Sequence, residues 1–137
     1  MGNHPGRDRH LDTKPYMQDR AAEEFFSRLE RGDFQTTRCS GCGEIHYPPR
    51  VVCPACLGED MEWVDLPREG TLLAFSQQAD AIRCRNPDVL GLVELEGIGN
   101  VITRIDAPFE ELRIGIRVSF DTWTSLDGVA LHQFRPL

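Results

Sequence analysis

Residues Arg38 to Glu62 read RCSGCGEIHYPPRVVCPACLGEDME, and Cys39, Cys42, Cys53 and Cys56 stand in that stretch as two CxxC pairs separated by ten residues. A CxxC turn is tight enough for backbone amides to point at its sulfurs and for both thiolates to face one point, and the ten intervening residues leave room for a short hairpin. Four soft thiolates at this spacing favour a filled tetrahedral Zn²⁺ site, or iron in its place. A disulfide framework belongs to shorter exported chains with an even cysteine count, and this chain has five. A site closed by four cysteines leaves no coordination position for water, so its predicted role is to build and not to react. Gly43 and Gly58 are expected to take the positive φ needed after the second ligand of each knuckle. His46, inside the loop, is at most a substitute ligand.

On the N-terminal side, Met17, Ala21, Ala22, Phe25, Phe26 and Leu29 recur at spacings of three and four up to Gly32. This predicts an amphipathic helix over Met17 to Arg31 within a segment 17–36, after a mobile stretch 1–16 that mixes Pro, Gly, His and charges. The Phe25 and Phe26 pair is too apolar for water. Its rings are predicted to meet the main core or another protein, which makes both residues candidates for partner docking.

On the C-terminal side, the polar, turn-rich Asp65 to Gly70 closes the metal segment, 37–66. The pattern then changes over 67–137 to five strands: TLLAFSQ, VLGLVELEG, NVITRIDA, RVSFDTW and VALHQF. In the second, Gly91, Val93 and Leu95 share one face, and in the fourth Val118, Phe120 and Thr122 do. Gly97 to Asn100 suits a tight hairpin, and PFEELRIG at 108–115 suits a helical turn. Five short strands with one longer connection before the fourth suit a closed barrel of the OB type. The expected fold is therefore mainly β: a helix, a rubredoxin-like four-cysteine ribbon and a five-stranded barrel.

Length and charge bound the function. A chain of 137 residues, 40% hydrophobic, holds one modest core and a small appendage, and the appendage needs the metal to be stable. Against 22 Asp and Glu stand 15 Lys and Arg, a net charge of −7. That opposes sequence-independent binding to nucleic acid or an anionic membrane. No apolar run reaches membrane-span length and no signal-peptide pattern opens the chain, which predicts a soluble, cytoplasmic protein. Cys84 lies between Arg83 and Arg85, but without an identified histidine base it reads as an ordinary residue. Arg83 and Arg85 are candidates for phosphate contact, against the plainer reading of a solvated pair. No catalytic triad, phosphate loop or paired carboxylates emerge from the rest.

The helix, the CSGC and CPAC knuckles with Tyr47, Pro48, Pro49 and Arg50 between them, and the strands GTLLAFS, GLVELEG and LRIGIRVSF together resemble the acyl-CoA-associated family built from a rubredoxin-like zinc ribbon and an OB-fold. The resemblance runs from about Met17 to Leu137. It implies an accessory subunit in a hetero-oligomer with a thiolase-fold enzyme, such as a thiolase (benzoylsuccinyl-CoA thiolase of anaerobic aromatic degradation is one example) or a lipid-transfer-type aldolase. It further implies that this subunit bridges its partners and shapes the acyl-CoA entrance, with the catalytic residues on the partner. Phe75, Arg83 and Arg85, placed on the first barrel strand and the connection after it, are then the candidates for meeting CoA. The competing reading is a single-stranded nucleic-acid module, since OB barrels and zinc ribbons both serve there. Against it, the chain from Asn86 onward carries eight acidic and four basic residues. An iron protein of rubredoxin type would be red as purified.

Overall fold

The computed structural model describes residues 20–79 and 87–137. Its elements run α1 (Arg20–Glu30), β1 (Gln35–Cys39), β2 (Ile45–His46), β3 (Met61–Asp65), β4 (Glu69–Gln78), β5 (Asp88–Leu95), β6 (Gly99–Ile105), a 3₁₀ turn (Phe109–Glu111), β7 (Arg117–Thr124) and β8 (Ala130–Pro136). The predicted start of the helix, at Met17, lies outside the described residues, as does the stretch 1–16.

In α1, Ala21, Phe25 and Leu29 fall every fourth residue and are buried, so one stripe of the helix carries its packing. The helix closes as a Schellman motif: Gly32 N–H donates to Leu29 C=O at 2.9 Å and Asp33 N–H to Arg28 C=O at 3.0 Å. Arg28 ties the helix to the ribbon. It pairs with Glu24 at 2.9 Å, donates to Gln35 Oε1 at 2.6 Å and lies 4.6 Å from the ring centroid of Trp63.

The ribbon is a three-stranded antiparallel sheet in the order β2-β1-β3, with Thr37 opposite His46 on one side and Trp63 on the other. Neither β1 nor β3 was among the strands expected from the sequence. The five strands expected after Thr71 are all present, and they close a barrel in the order β4-β5-β6-β8-β7. This is the order of an OB-fold. The 3₁₀ turn sits within PFEELRIG, and Ile98 N–H donates to Leu95 C=O at 3.0 Å in the hairpin between β5 and β6.

Every pairing in the barrel is antiparallel except β6 with β8, which meet in parallel at only two registered pairs, Arg104 with Gln133 and Ile105 with Phe134. Side chains reinforce this narrow seam on both faces. Inside, Thr103 Oγ1 and His132 Nδ1 share a hydrogen bond of 2.7 Å. Outside, Arg104 donates to Gln133 Oε1 and, at 2.7 Å, to Asp88 Oδ2, with its guanidinium 4.5 Å from the Trp123 ring centroid. Arg104 and Asp88 are both buried, so each charge relies on the other.

One core serves helix, ribbon and barrel. Phe25, Leu29 and Phe34 join Leu66, Leu72, Val93, Val101, Ile105, Val118 and Phe134 in a continuous cluster. Phe34 is fully buried and stacks on Phe120 with 4.3 Å between ring centroids and 12° between planes. Gly91 faces the same interior, where a Cβ would lie 2.6 Å from Cγ1 of Ile105 and 3.0 Å from Cδ1 of Leu72. Gly91→Val is therefore expected to overpack the barrel and lower stability by about 2–3 kcal/mol, read as a fall in the urea midpoint at unchanged slope.

Candidate metal centre and the junction beside it

The two knuckles fold alike. Gly43 N–H donates to Cys39 C=O and Leu57 N–H to Cys53 C=O, both at 2.8 Å; Cys39 N–H donates to Glu44 C=O at 2.9 Å and Cys53 N–H to Gly58 C=O at 2.8 Å. Each turn buries its first cysteine, Cys39 or Cys53, and exposes its second, Cys42 or Cys56. Gly43 has the expected positive φ, 82°, but in the second knuckle the left-handed residue is Leu57, φ 64°, and not Gly58. The reason is position: Leu57, not Gly58, directly follows the ligand. Gly58 instead sits close against the metal centre, where a Cβ would lie 3.3 Å from Cys56 Sγ.

The four Sγ atoms all lie within 4.8 Å of one another, with Cys39 and Cys56 at 3.5 Å and Cys42 and Cys53 at 3.6 Å. Zinc–sulfur bonds of about 2.3 Å place tetrahedral sulfurs about 3.8 Å apart, so the donor set fits Zn²⁺. Without a cation the sulfurs compete. The Cys42 backbone N–H holds the Cys39 thiol down at about 7. Cys42 has the Glu44 N–H in its favour, yet loss of water and the neighbouring sulfurs push it up to about 12. A divalent ion removes that conflict by neutralising charge among the sulfurs.

His46 stands beside this set. Its Nε2 lies 3.4 Å from Cys53 Sγ, but it is not part of the group of mutually close ligand atoms, which holds the four cysteines alone. Nothing in the sequence pattern pointed to that contact, because it depends on β2 pairing with β1.

The remaining candidates separate. Phe25 is 5% exposed and packs into the main core, the first of the two placements expected of it. Its ring is edge-on to Phe26, Tyr47 and His132 at 5.3, 6.2 and 6.2 Å. Phe26 is half-buried. Phe75 is half-buried against Phe109, at 5.4 Å, far along β4 from the ribbon. It borders a groove of about 310 Å³ on the barrel wall with Ala74, Leu90, Leu92 and Ile102. Leu90 and Ile102 are exposed there. Arg83, Arg85 and Cys84 lie outside the described residues.

Two families of sequence fit this architecture in succession. The model for the ChsH2 rubredoxin-like zinc ribbon domain matches residues 26–62, and that for the ChsH2 C-terminal OB-fold domain matches residues 63–122. The chain belongs to the ChsH2 family. Among relatives of this ChsH2-family chain, the benzoylsuccinyl-CoA thiolase subunit BbsA of Thauera aromatica is 28% identical over 102 residues, 72% of this chain and 71% of that one. A DUF35 domain-containing scaffold protein of Methanocaldococcus jannaschii is 29% identical over 86 residues, 59% of this chain and 61% of that one. In fold, the chain superposes on a chain of the Ltp2-ChsH2(DUF35) aldolase with a TM-score of 0.77 at 23% identity, covering 88% of this chain and 97% of that one. Among the described residues, no helix is long and apolar enough to cross a membrane.

Where helix, ribbon and barrel of the ChsH2-family chain meet, Ala22, Phe25, Phe26, Tyr47, Pro48, Pro49 and His132 line a small cleft of about 160 Å³. Burial pushes the Tyr47 phenol up to about 12 and the His132 imidazole down to about 4. His132 is thus neutral in the fold near neutrality, whereas the unfolded chain protonates it near 6.5. Stability from this group is present above 6.5 and is lost as pH falls from there toward 4, by up to about 3 kcal/mol. Urea midpoints measured across that window are expected to fall less steeply in His132→Gln than in the parent.

Proposed function

We propose that this chain is a non-catalytic, zinc-stabilised accessory subunit of a thiolase-fold acyl-CoA enzyme, either a thiolase or a lipid-transfer-type aldolase. The observation that carries the reading is the match of both ChsH2 modules, in order and without a gap, over residues 26–122. The thiolase subunit named among its relatives and the aldolase of like fold support the same class of partner. The four cysteines serve as a structural Zn²⁺ site, since a closed set of four thiolates offers no place for a substrate. The partner supplies the reacting groups, and this subunit bridges chains and shapes the acyl-CoA entrance.

For contact with the partner, the exposed apolar wall around Leu90 and Ile102, with half-buried Phe26 by the junction cleft, is better suited than the interior ring of Phe25. Phe75 borders that wall. With Arg83 and Arg85 on the connection between β4 and β5, it is the proposed point of approach to CoA, an aromatic face for the adenine and guanidinium groups for the phosphates.

The test is affinity purification of the tagged chain from its native host, with mass spectrometry of whatever is retained in stoichiometric amount. A thiolase-fold chain is expected, and the isolated subunit should show no acyl-CoA cleavage or condensation. Acyl-CoA affinity of the assembled complex should drop when Arg83→Ala and Arg85→Ala are combined. Recovery of the chain free of any such partner but bound to single-stranded RNA or DNA would reverse the assignment.

A further inference from the structure

We infer that His46 is a positioning residue of the metal centre: its Nε2–H donates to the Cys53 thiolate and strengthens metal retention without being a ligand. The inference rests on the zinc reading above and adds a residue outside the four-cysteine set.

The geometry places the ring there by two independent restraints. His46 belongs to the two-residue strand β2 and pairs with Thr37 on β1. Its carbonyl accepts from the hydroxyl of Thr36, which is fully buried. Thr37 in turn accepts from the backbone N–H of Arg50 at 2.8 Å, fixing the return of the loop toward Cys53. With its backbone held, the His46 ring reaches Sγ of Cys53 at 3.4 Å.

The chemistry of the contact then sets the direction of the bond. A metal-bound thiolate has no proton to give, so the hydrogen must sit on Nε2. Four thiolates around a divalent ion leave an excess of negative charge, which N–H donors reduce. Backbone amides do this for Cys39, from Cys42 and Gly41, for Cys42, from Glu44, and for Cys56, from Gly58. At Cys53, which is fully buried, the His46 side chain stands within reach to add a donor of its own. Partners of this kind orient a ligand and change metal affinity by about 10–100-fold.

The experiment uses the full chain, first loaded with zinc and checked for one equivalent by elemental analysis. Zinc is then competed with a chromophoric chelator for the parent, His46→Phe and His46→Gln. The expected result is that His46→Phe binds zinc at least about tenfold more weakly, while His46→Gln, whose side-chain amide reproduces an N–H near Nε2, stays within about threefold of the parent. Equal affinity for His46→Phe and parent would overturn the inference. Should His46→Phe fail to fold, the parent loaded with cadmium decides: scalar coupling between the metal and the Nε2 proton of His46 supports the hydrogen bond, and its absence overturns it. A parent that folds without metal would defeat the zinc reading itself, a distinct outcome.

Discussion

Purified Cys39→Ser is expected to carry no zinc, where the parent carries one equivalent, and to lose the fold of its ribbon. Structural zinc sites contribute about 10–16 kcal/mol of apparent binding free energy, comparable with or larger than the whole stability of a domain. The ribbon has little else. Its sheet is three short strands, of which β2 has two residues, and the knuckles contribute only Cys39 and Cys53 to the buried apolar set. The barrel has its own ladder of β4 to β8 and the larger share of the core. In NMR spectra of Cys39→Ser, amide dispersion should therefore collapse for residues 40–60 and persist for residues 88–105. Chelation of the parent should reproduce that pattern, and added zinc should reverse it. A metal-free chain with a fully dispersed ribbon would refute the structural assignment.

The second large effect is expected at Phe34→Ala. The ring is 0% exposed, stacks on Phe120 and stands edge-on to Phe134 at 6.0 Å. Its backbone carbonyl accepts from Leu66 N–H at 2.9 Å, where the chain passes from ribbon to barrel. Truncation leaves a cavity where helix, ribbon and barrel converge. A loss of about 3–5 kcal/mol follows, seen in thermal melts as a fall of roughly 10–15 °C for a domain of this size. Ile102→Ala, at a residue 66% exposed, should stay within about 0.5 kcal/mol of the parent.

Much of this architecture was legible in the sequence because its signals are local. Each CxxC spacing brings two sulfurs to one point and its repetition ten residues on signals a shared site, and alternation at Gly91, Val93 and Leu95 marks the inner face of β5 without help from the rest of the chain. The strands β1 and β3 were not legible for the opposite reason. QTTRC and MEWVD carry charged and polar residues whose partners stand opposite on the other strand: Arg38 pairs with Glu62, and Gln35 donates to Asp65 Oδ1 at 2.9 Å. Their stability comes from cross-strand register, which no single segment displays. Phe25 shows the same limit. Helical spacing put it on an apolar face, but only the packing of α1 against β8 decides that this face meets the protein's own barrel. His46 was read as at most a substitute ligand, and its contact with Cys53 depends on which strand β2 pairs with.

The junction between the two ChsH2 segments falls between Glu62 and Trp63, inside β3, whose five residues are all paired with β1. Sequence relatedness and physical separability therefore part company at this point. A fragment beginning at Trp63 would keep half a strand and discard the neighbour that satisfies its backbone, leaving a sticky edge beside an uncovered Phe120. Any attempt to exchange ribbons among relatives has to carry β3 through Asp65 and bring Phe34 with it, because the piece that moves as a unit is larger than the piece that is inherited as one.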